Sequence, residues 1–294
     1  MQTIKSRWNH QDKIKIEWNL GKRCNYDCTY CPSSIHDNSS LHTDIKILTN
    51  TVDKLLSIDR PLRISLTGGE PCVHPNIEEL IQYIKASGSW LSVTTNGTRR
   101  ADWYSRLSVD QFVFSLHFEY DWQSVLNTIK AVVELNQTIQ ILVHVMAHQD
   151  KMQEVKEAVS FLEQHEIEYA VRRIRWTEGD HDVFDDMKYS QTDLDWLLSK
   201  TSTVKPNVIV DDVKLFHAND IIKLKLNQYK GWTCNIGLES LMINWDGDVH
   251  RATCRVGNSL GNIYNNSFVI PTEPVICTRN YCTCAADIPI TKQS

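Results

Sequence analysis

The chain has 294 residues, a net charge of −5 and nine cysteines. Its length suffices for one large domain or two unequal ones with a substantial core. The charge argues against broad electrostatic attraction to nucleic acid, and no run has the length of a membrane span or a signal-peptide core, so a soluble, cytoplasmic protein with no membrane partner is expected.

In chain order, β-branched and apolar runs predict strands at Ile14–Trp18, Leu62–Thr67, Trp90–Thr95, Phe112–Phe118, Ile139–Met146 and Tyr169–Ile174. Helical periodicity falls between them, at Ile45–Leu56, Ile77–Ile84, Trp122–Leu135, Met152–Leu162 and Leu194–Leu198. Six strands with helical crossovers predict an α/β fold, a partial (β/α)6 TIM-like barrel over residues 1–215. The alternation fades after about residue 205, and from Asn227 the texture turns to short strands punctuated by Gly, Asn and Asp, with "DGD" at 246–248 as a hairpin connection. Residues 216–294 are therefore expected to form a small cysteine-rich α+β module.

The stretch "CNYDCTYC" sets Cys24, Cys28 and Cys31 in the first βα loop, on the face where barrel enzymes keep their active sites. Nine cysteines, clustered rather than spread, suggest metal or iron–sulfur ligation rather than a disulfide framework. A structural zinc site closes with four protein ligands. Three thiolates in one loop fit either a zinc site completed from a distance or an iron–sulfur cluster with one iron left open.

The C-x3-C-x2-C spacing, with Tyr30 before the last cysteine, resembles the signature of the radical S-adenosylmethionine (radical SAM) superfamily. So does the order of three later segments: "LTGGEP" at 66–71, "TTNGT" at 94–98 and "FSLHF" at 114–118 close successive strands. The resemblance covers about residues 14 to 200. It implies a [4Fe–4S] cluster on Cys24, Cys28 and Cys31 whose open iron is chelated by SAM. It further implies that the reduced cluster splits SAM to a 5′-deoxyadenosyl radical, which takes a hydrogen atom from a substrate. On this resemblance Tyr30, Gly68, Gly69, Glu70, Thr95, Asn96, Ser115 and His117 are cofactor-binding candidates.

Cys234, Cys254, Cys277, Cys282 and Cys284 lie in the C-terminal segment, whose frame resembles the SPASM/twitch extensions of radical SAM enzymes. That resemblance implies one auxiliary cluster on four of these five, and so two clusters in the chain. A structural zinc knuckle is the alternative. Cys72, beside the SAM segment, is either a small buried hydrophobe or a hydrogen donor to a substrate radical. Strand alternation sends Arg173 and Arg175 to one face and Arg172 to the other, leaving open which faces the site. The acidic stretch 178–186 is a solvated loop or a recognition element, and His144 a SAM contact or a core residue.

Relatives of this kind modify peptides or proteins by epimerisation, oxidation or crosslinking, the first expectation here. A nucleoside, nucleic-acid base or other small molecule is the competing substrate, and an electron donor such as flavodoxin or ferredoxin is implied. Rival classes are a non-catalytic zinc-binding protein and an electron-transfer protein.

Overall fold

The computed structural model describes residues 2–7, 12–33, 36–174, 189–200 and 203–294. The elements run β1 (Thr3–Ser6), β2 (Ile14–Asn19), α1 (Ile45–Leu56), β3 (Leu62–Thr67), α2 (Ile77–Ala86), β4 (Trp90–Thr95), α3 (Ala101–Ser105), β5 (Gln111–Leu116), α4 (Trp122–Leu135), β6 (Gln140–Ala147), α5 (Met152–Gln164), β7 (Tyr169–Arg173) and α6 (Gln191–Ser199). They continue with β8 (Val208–Val210), β9 (Lys214–Phe216), α7 (Ala218–Lys223), β10 (Thr233–Cys234), β11 (Ser240–Ile243), β12 (Val249–His250), β13 (Val275–Ile276) and β14 (Lys292–Gln293).

Strands β2 to β7 pair in parallel and in chain order. Each strand's period of two splits it into two faces. One face carries Ile14, Ile16, Trp18, Ile64, Leu66, Val93, Phe112, Phe114, Val143 and Val145, all buried in one continuous core. The apolar stripes of α1, α2, α4 and α5 complete that core through Leu48, Val52, Leu80, Ile84, Ile129 and Val159. Fully burying each such side chain is worth about 1.5–3 kcal/mol.

The other face is polar. Glu17 stands opposite Ser65, Ser65 opposite Ser92 and Ser115 opposite His144, and Ser92 Oγ donates to Ser65 Oγ at 2.9 Å. A parallel sheet covered by core on both faces would read as continuous apolar runs. This one alternates because its second face lines a cavity.

Caps set where two of the helices begin. Asp44 accepts from the Lys46 amide at the start of α1, and Asp121 accepts from the Ser124 amide at the start of α4. The expected strand reaching Phe118 stops at Leu116, and 117–119 turn away to meet the cysteine loop.

The C-terminal residues are shared between two sheets. β11 joins β2 in parallel and carries β12 antiparallel, so the eight-stranded sheet is mixed. β10, β13 and β14 form a second sheet with β1, β8 and β9. A boundary at residue 215 therefore crosses both sheets, because N-terminal β1 lies between β14 and β8. The hairpin read from "DGD" is present, with Gly247 at φ +88° between β11 and β12. Among the described residues, no helix is long and apolar enough to cross a membrane.

Candidate active site

The carboxyl ends of β2 to β7 open onto a cavity of about 680 Å³. Cys24, Cys28 and Cys31 all line it, together with Tyr30, Gly69, Glu70, Thr95, Asn96, Ser115 and His117. These residues come from four different strand ends, and the parallel βα order alone brings them together. Gly68 stands just behind this lining.

The cysteine loop is clamped from two sides. From β3, the Glu70 amide donates to the Arg23 carbonyl at 2.9 Å. This contact needs glycine at 69: the residue sits at φ +49°, and a Cβ there would lie 2.3 Å from the Arg23 carbonyl oxygen. Gly68, at φ +85°, also packs closely, a Cβ there lying 2.8 Å from Asn19 Cβ. From beyond β5, Glu119 accepts from the Thr29 amide at 3.0 Å and from its hydroxyl, while the Tyr120 hydroxyl meets the Asp27 amide and its ring stacks on Tyr26 at 3.7 Å.

Glu70 is the hub of the adjoining segment. Its buried carboxylate accepts from the Cys72 amide at 2.9 Å, the Thr95 hydroxyl at 2.8 Å and the Asn96 amide at 2.6 Å. It thereby ties the end of β3 to the end of β4. Burial holds its pKa above the usual carboxylate value, with these donors working against the rise. Asn96 passes the order on to the cysteine loop, its Nδ2 donating to Asn25 Oδ1 at 2.8 Å and lying 4.0 Å from Cys24 Sγ.

His117 Nδ1 lies 2.5 Å from the Tyr30 hydroxyl and 3.6 Å from Cys28 Sγ. Burial pushes His117 down to about 4, so the ring is neutral near pH 7. Burial also pushes the Cys28 thiol up to about 12, with the Glu119 carboxylate adding to the effect. Cys31 rises to about 11 through burial and then the neighbouring Cys24. Cys28 is buried and Cys24 and Cys31 are half-buried, and all three line one cavity, a donor set of the kind that takes up iron as thiolates with release of their protons. Among the described residues, no three His, Cys, Asp or Glu side chains are set around a single metal-ion position.

The strand alternation left open which arginine faces the site. Arg172 stands opposite Met146 and its Nη2 lies 3.1 Å from His144 Nε2, on the cavity face. Arg173 lines the cavity nearer the strand end. Arg175 and the acidic stretch 178–186 lie outside the described residues. Cys72 lies in the core, 1% exposed and outside the cavity lining, as the small-buried-hydrophobe alternative expects.

Sequence reading missed one wall. Leu194 and Leu197 of α6 and Asn219, Asp220, Ile222 and Lys223 of α7 close the side of the cavity next to β7. Nothing local marks α7 as a site element. Its cap at His217, whose ring accepts from the Asn219 amide at 3.2 Å, is its one readable signal.

The C-terminal cysteines also gather. Cys234 lies on β10, Cys254 follows β12 and Cys277 follows β13, while Cys282 and Cys284 occupy the loop before β14. Cys234 and Cys282 are buried. Burial and then the Asp287 carboxyl push Cys254 up to about 12, with Cys234 among the further causes.

Residues 18–162 match the radical SAM superfamily model, so this stretch is a radical SAM domain, and with the relatives that match it the chain is indicated to be an enzyme. Over 96 residues, 31% of this chain and 23% of the relative, the sequence is 31% identical to Fe-coproporphyrin III synthase of Methanosarcina barkeri. Over 82 residues, 27% of this chain and 26% of the relative, it is 34% identical to a probable GTP 3′,8-cyclase of Pyrococcus abyssi. The matched stretches thus span about a quarter of these relatives' lengths. The fold resembles Streptococcus suis SuiB bound to S-adenosylmethionine, with a TM-score of 0.59 and 13% identity over 87% of this chain and 64% of that one.

Proposed function

We propose that the chain reductively cleaves SAM at a [4Fe–4S] cluster held by Cys24, Cys28 and Cys31 and modifies a substrate through the 5′-deoxyadenosyl radical. The observation that carries this reading is the convergence of those cysteines with Gly69, Glu70, Asn96, Ser115 and His117 on one cavity. A cluster held there by Cys24, Cys28 and Cys31 would supply the one electron that cleavage of the SAM sulfonium needs. The chain's own part is to fix the thiols, to exclude water and to present ligands. Gly69 lets the backbone approach the cysteine loop, Glu70 and Asn96 hold that approach, and Ser115 and His117 offer polar atoms from β5 and the turn after it. Arg172 suits a carboxylate on this face.

We take the C-terminal cysteines to fit an auxiliary cluster of the SPASM/twitch kind: Cys234 on β10, Cys254 and Cys277 after β12 and β13, and Cys282 and Cys284 on one loop, with Cys234 and Cys282 buried. The substrate class taken first is a peptide or protein. A second reading, an anionic small molecule such as a nucleotide, is favoured by the side of the cavity where Arg173, Lys200, Lys223 and Lys225 join Asp220 among the described residues, with Lys200 also paired to Glu163 at 2.9 Å.

Anaerobic reconstitution and then reduction with dithionite in the presence of SAM is expected to release 5′-deoxyadenosine from the wild type. The Cys24/Cys28/Cys31→Ala variant should release none. An iron-loaded wild type that leaves SAM intact would overturn the reading.

A further inference from the structure

The ammonium of Lys292 is buried beside the C-terminal cysteines. Lys292 is 2% exposed and stands directly opposite Cys234 in the antiparallel pairing of β10 with β14, which sets the two side chains side by side on one face. Its Nζ donates to the carbonyls of Asp287 at 2.7 Å, Ile290 at 2.9 Å and Ile288 at 3.2 Å. Those residues come after Cys282 and Cys284 on the same loop. All three N–H donors are thus used, and all three acceptors are neutral carbonyls. Removing an ammonium from water is costly unless an opposite charge answers it. The Asp287 carboxyl is turned to Cys254, whose amide donates to Oδ2 at 3.2 Å.

Resting on the auxiliary-cluster reading above, we infer that Lys292 is the fixed positive charge of the C-terminal site, a positioning residue that offsets the negative charge of its thiolate ligands. A four-thiolate cluster gains one more negative charge on reduction, and the potential of such clusters follows net charge and nearby hydrogen bonds. A cation held next to Cys234 therefore favours the reduced state. The lysine's location also explains its carbonyl bonds: they fix the ammonium without cancelling its charge.

The test is a redox titration of the full-length, reconstituted protein monitored by electron paramagnetic resonance. The C-terminal signal is the one that added SAM does not perturb. Lys292→Gln keeps donors for the carbonyls and removes the charge. It is expected to lower the reduced-to-oxidised ratio of that cluster at least tenfold at a given poise, about 59 mV for one electron. An unchanged potential in Lys292→Gln with wild-type iron content would overturn the inference. If Lys292→Gln instead loses the C-terminal iron, Lys292→Arg decides: iron regained with the charge supports the inference, and iron still lost assigns the residue to loop structure alone. A wild type that binds only about four irons overturns the auxiliary cluster itself. That outcome is distinct from a failure of Lys292 within a protein binding about eight.

Discussion

Replacing Glu70 by alanine is expected to abolish 5′-deoxyadenosine release and to lower folding stability by about 2–6 kcal/mol, at about 1–3 kcal/mol for each buried donor left unpaired. The two orphaned donors are the amides of Cys72 and Asn96. The Thr95 hydroxyl has a second partner, since Tyr104 Oη lies 3.1 Å away, and so it adds little to the cost. Losing Glu70 also frees the end of β4 from the end of β3, and with it the Asn96 contact to the cysteine loop. Glu70→Gln keeps the shape and one acceptor but turns an NH2 toward a donor, so it should fall between the two. Denaturant unfolding alongside the SAM-cleavage assay reads both effects. An alanine variant with wild-type stability would show that the three bonds do not hold the segment.

Gly69→Val is expected to empty the N-terminal cysteine site and to lower SAM cleavage by about 10–100-fold or more, the scale of losing the supports of a metal ligand. Two costs combine. A non-glycine residue at φ +49° carries about 1–3 kcal/mol of strain. Its Cβ would also meet the Arg23 carbonyl at 2.3 Å, and a backbone atom cannot rotate aside. Relief requires the loop carrying Cys24 to move. Gly88→Ala separates the two costs, because Gly88 sits at φ +77° with open space around it. That variant should lose stability alone and keep wild-type iron. Equal iron loss in both would mean that backbone strain, not the close approach to the cysteine loop, is responsible.

The central βα succession was legible because periodicity and burial agree there. Leu62–Thr67, Trp90–Thr95, Ile45–Leu56 and Trp122–Leu135 were read with the bounds the structure gives them. Those elements bury one apolar face each, and a period of 2 or 3.6 records that directly. The site was legible for a different reason: glycines, cysteines and Glu70 stand at strand ends, where residue type is dictated by close approach and by ligand chemistry. What escaped was contributed at a distance. β1 is four residues long and its partners, β14 and β8, lie some 200 or more positions away. The pairing of β11 with β2 depends on tertiary packing, and no local pattern announces it. The sequence left Cys72 between two readings, because proximity to Glu70 does not say that two residues on the chain turns inward and the thiol joins the core. Lys292 went unremarked because a lysine near the chain end reads as solvated, and only the strand register reveals its burial.

The most direct measurement is iron and acid-labile sulfide per chain after anaerobic reconstitution, in the wild type and in the Cys24/Cys28/Cys31→Ala variant. Two independent cysteine sets predict about eight irons falling to about four. An unchanged iron content in the variant would contradict the account, since the three cysteines that line the cavity would then hold no cluster.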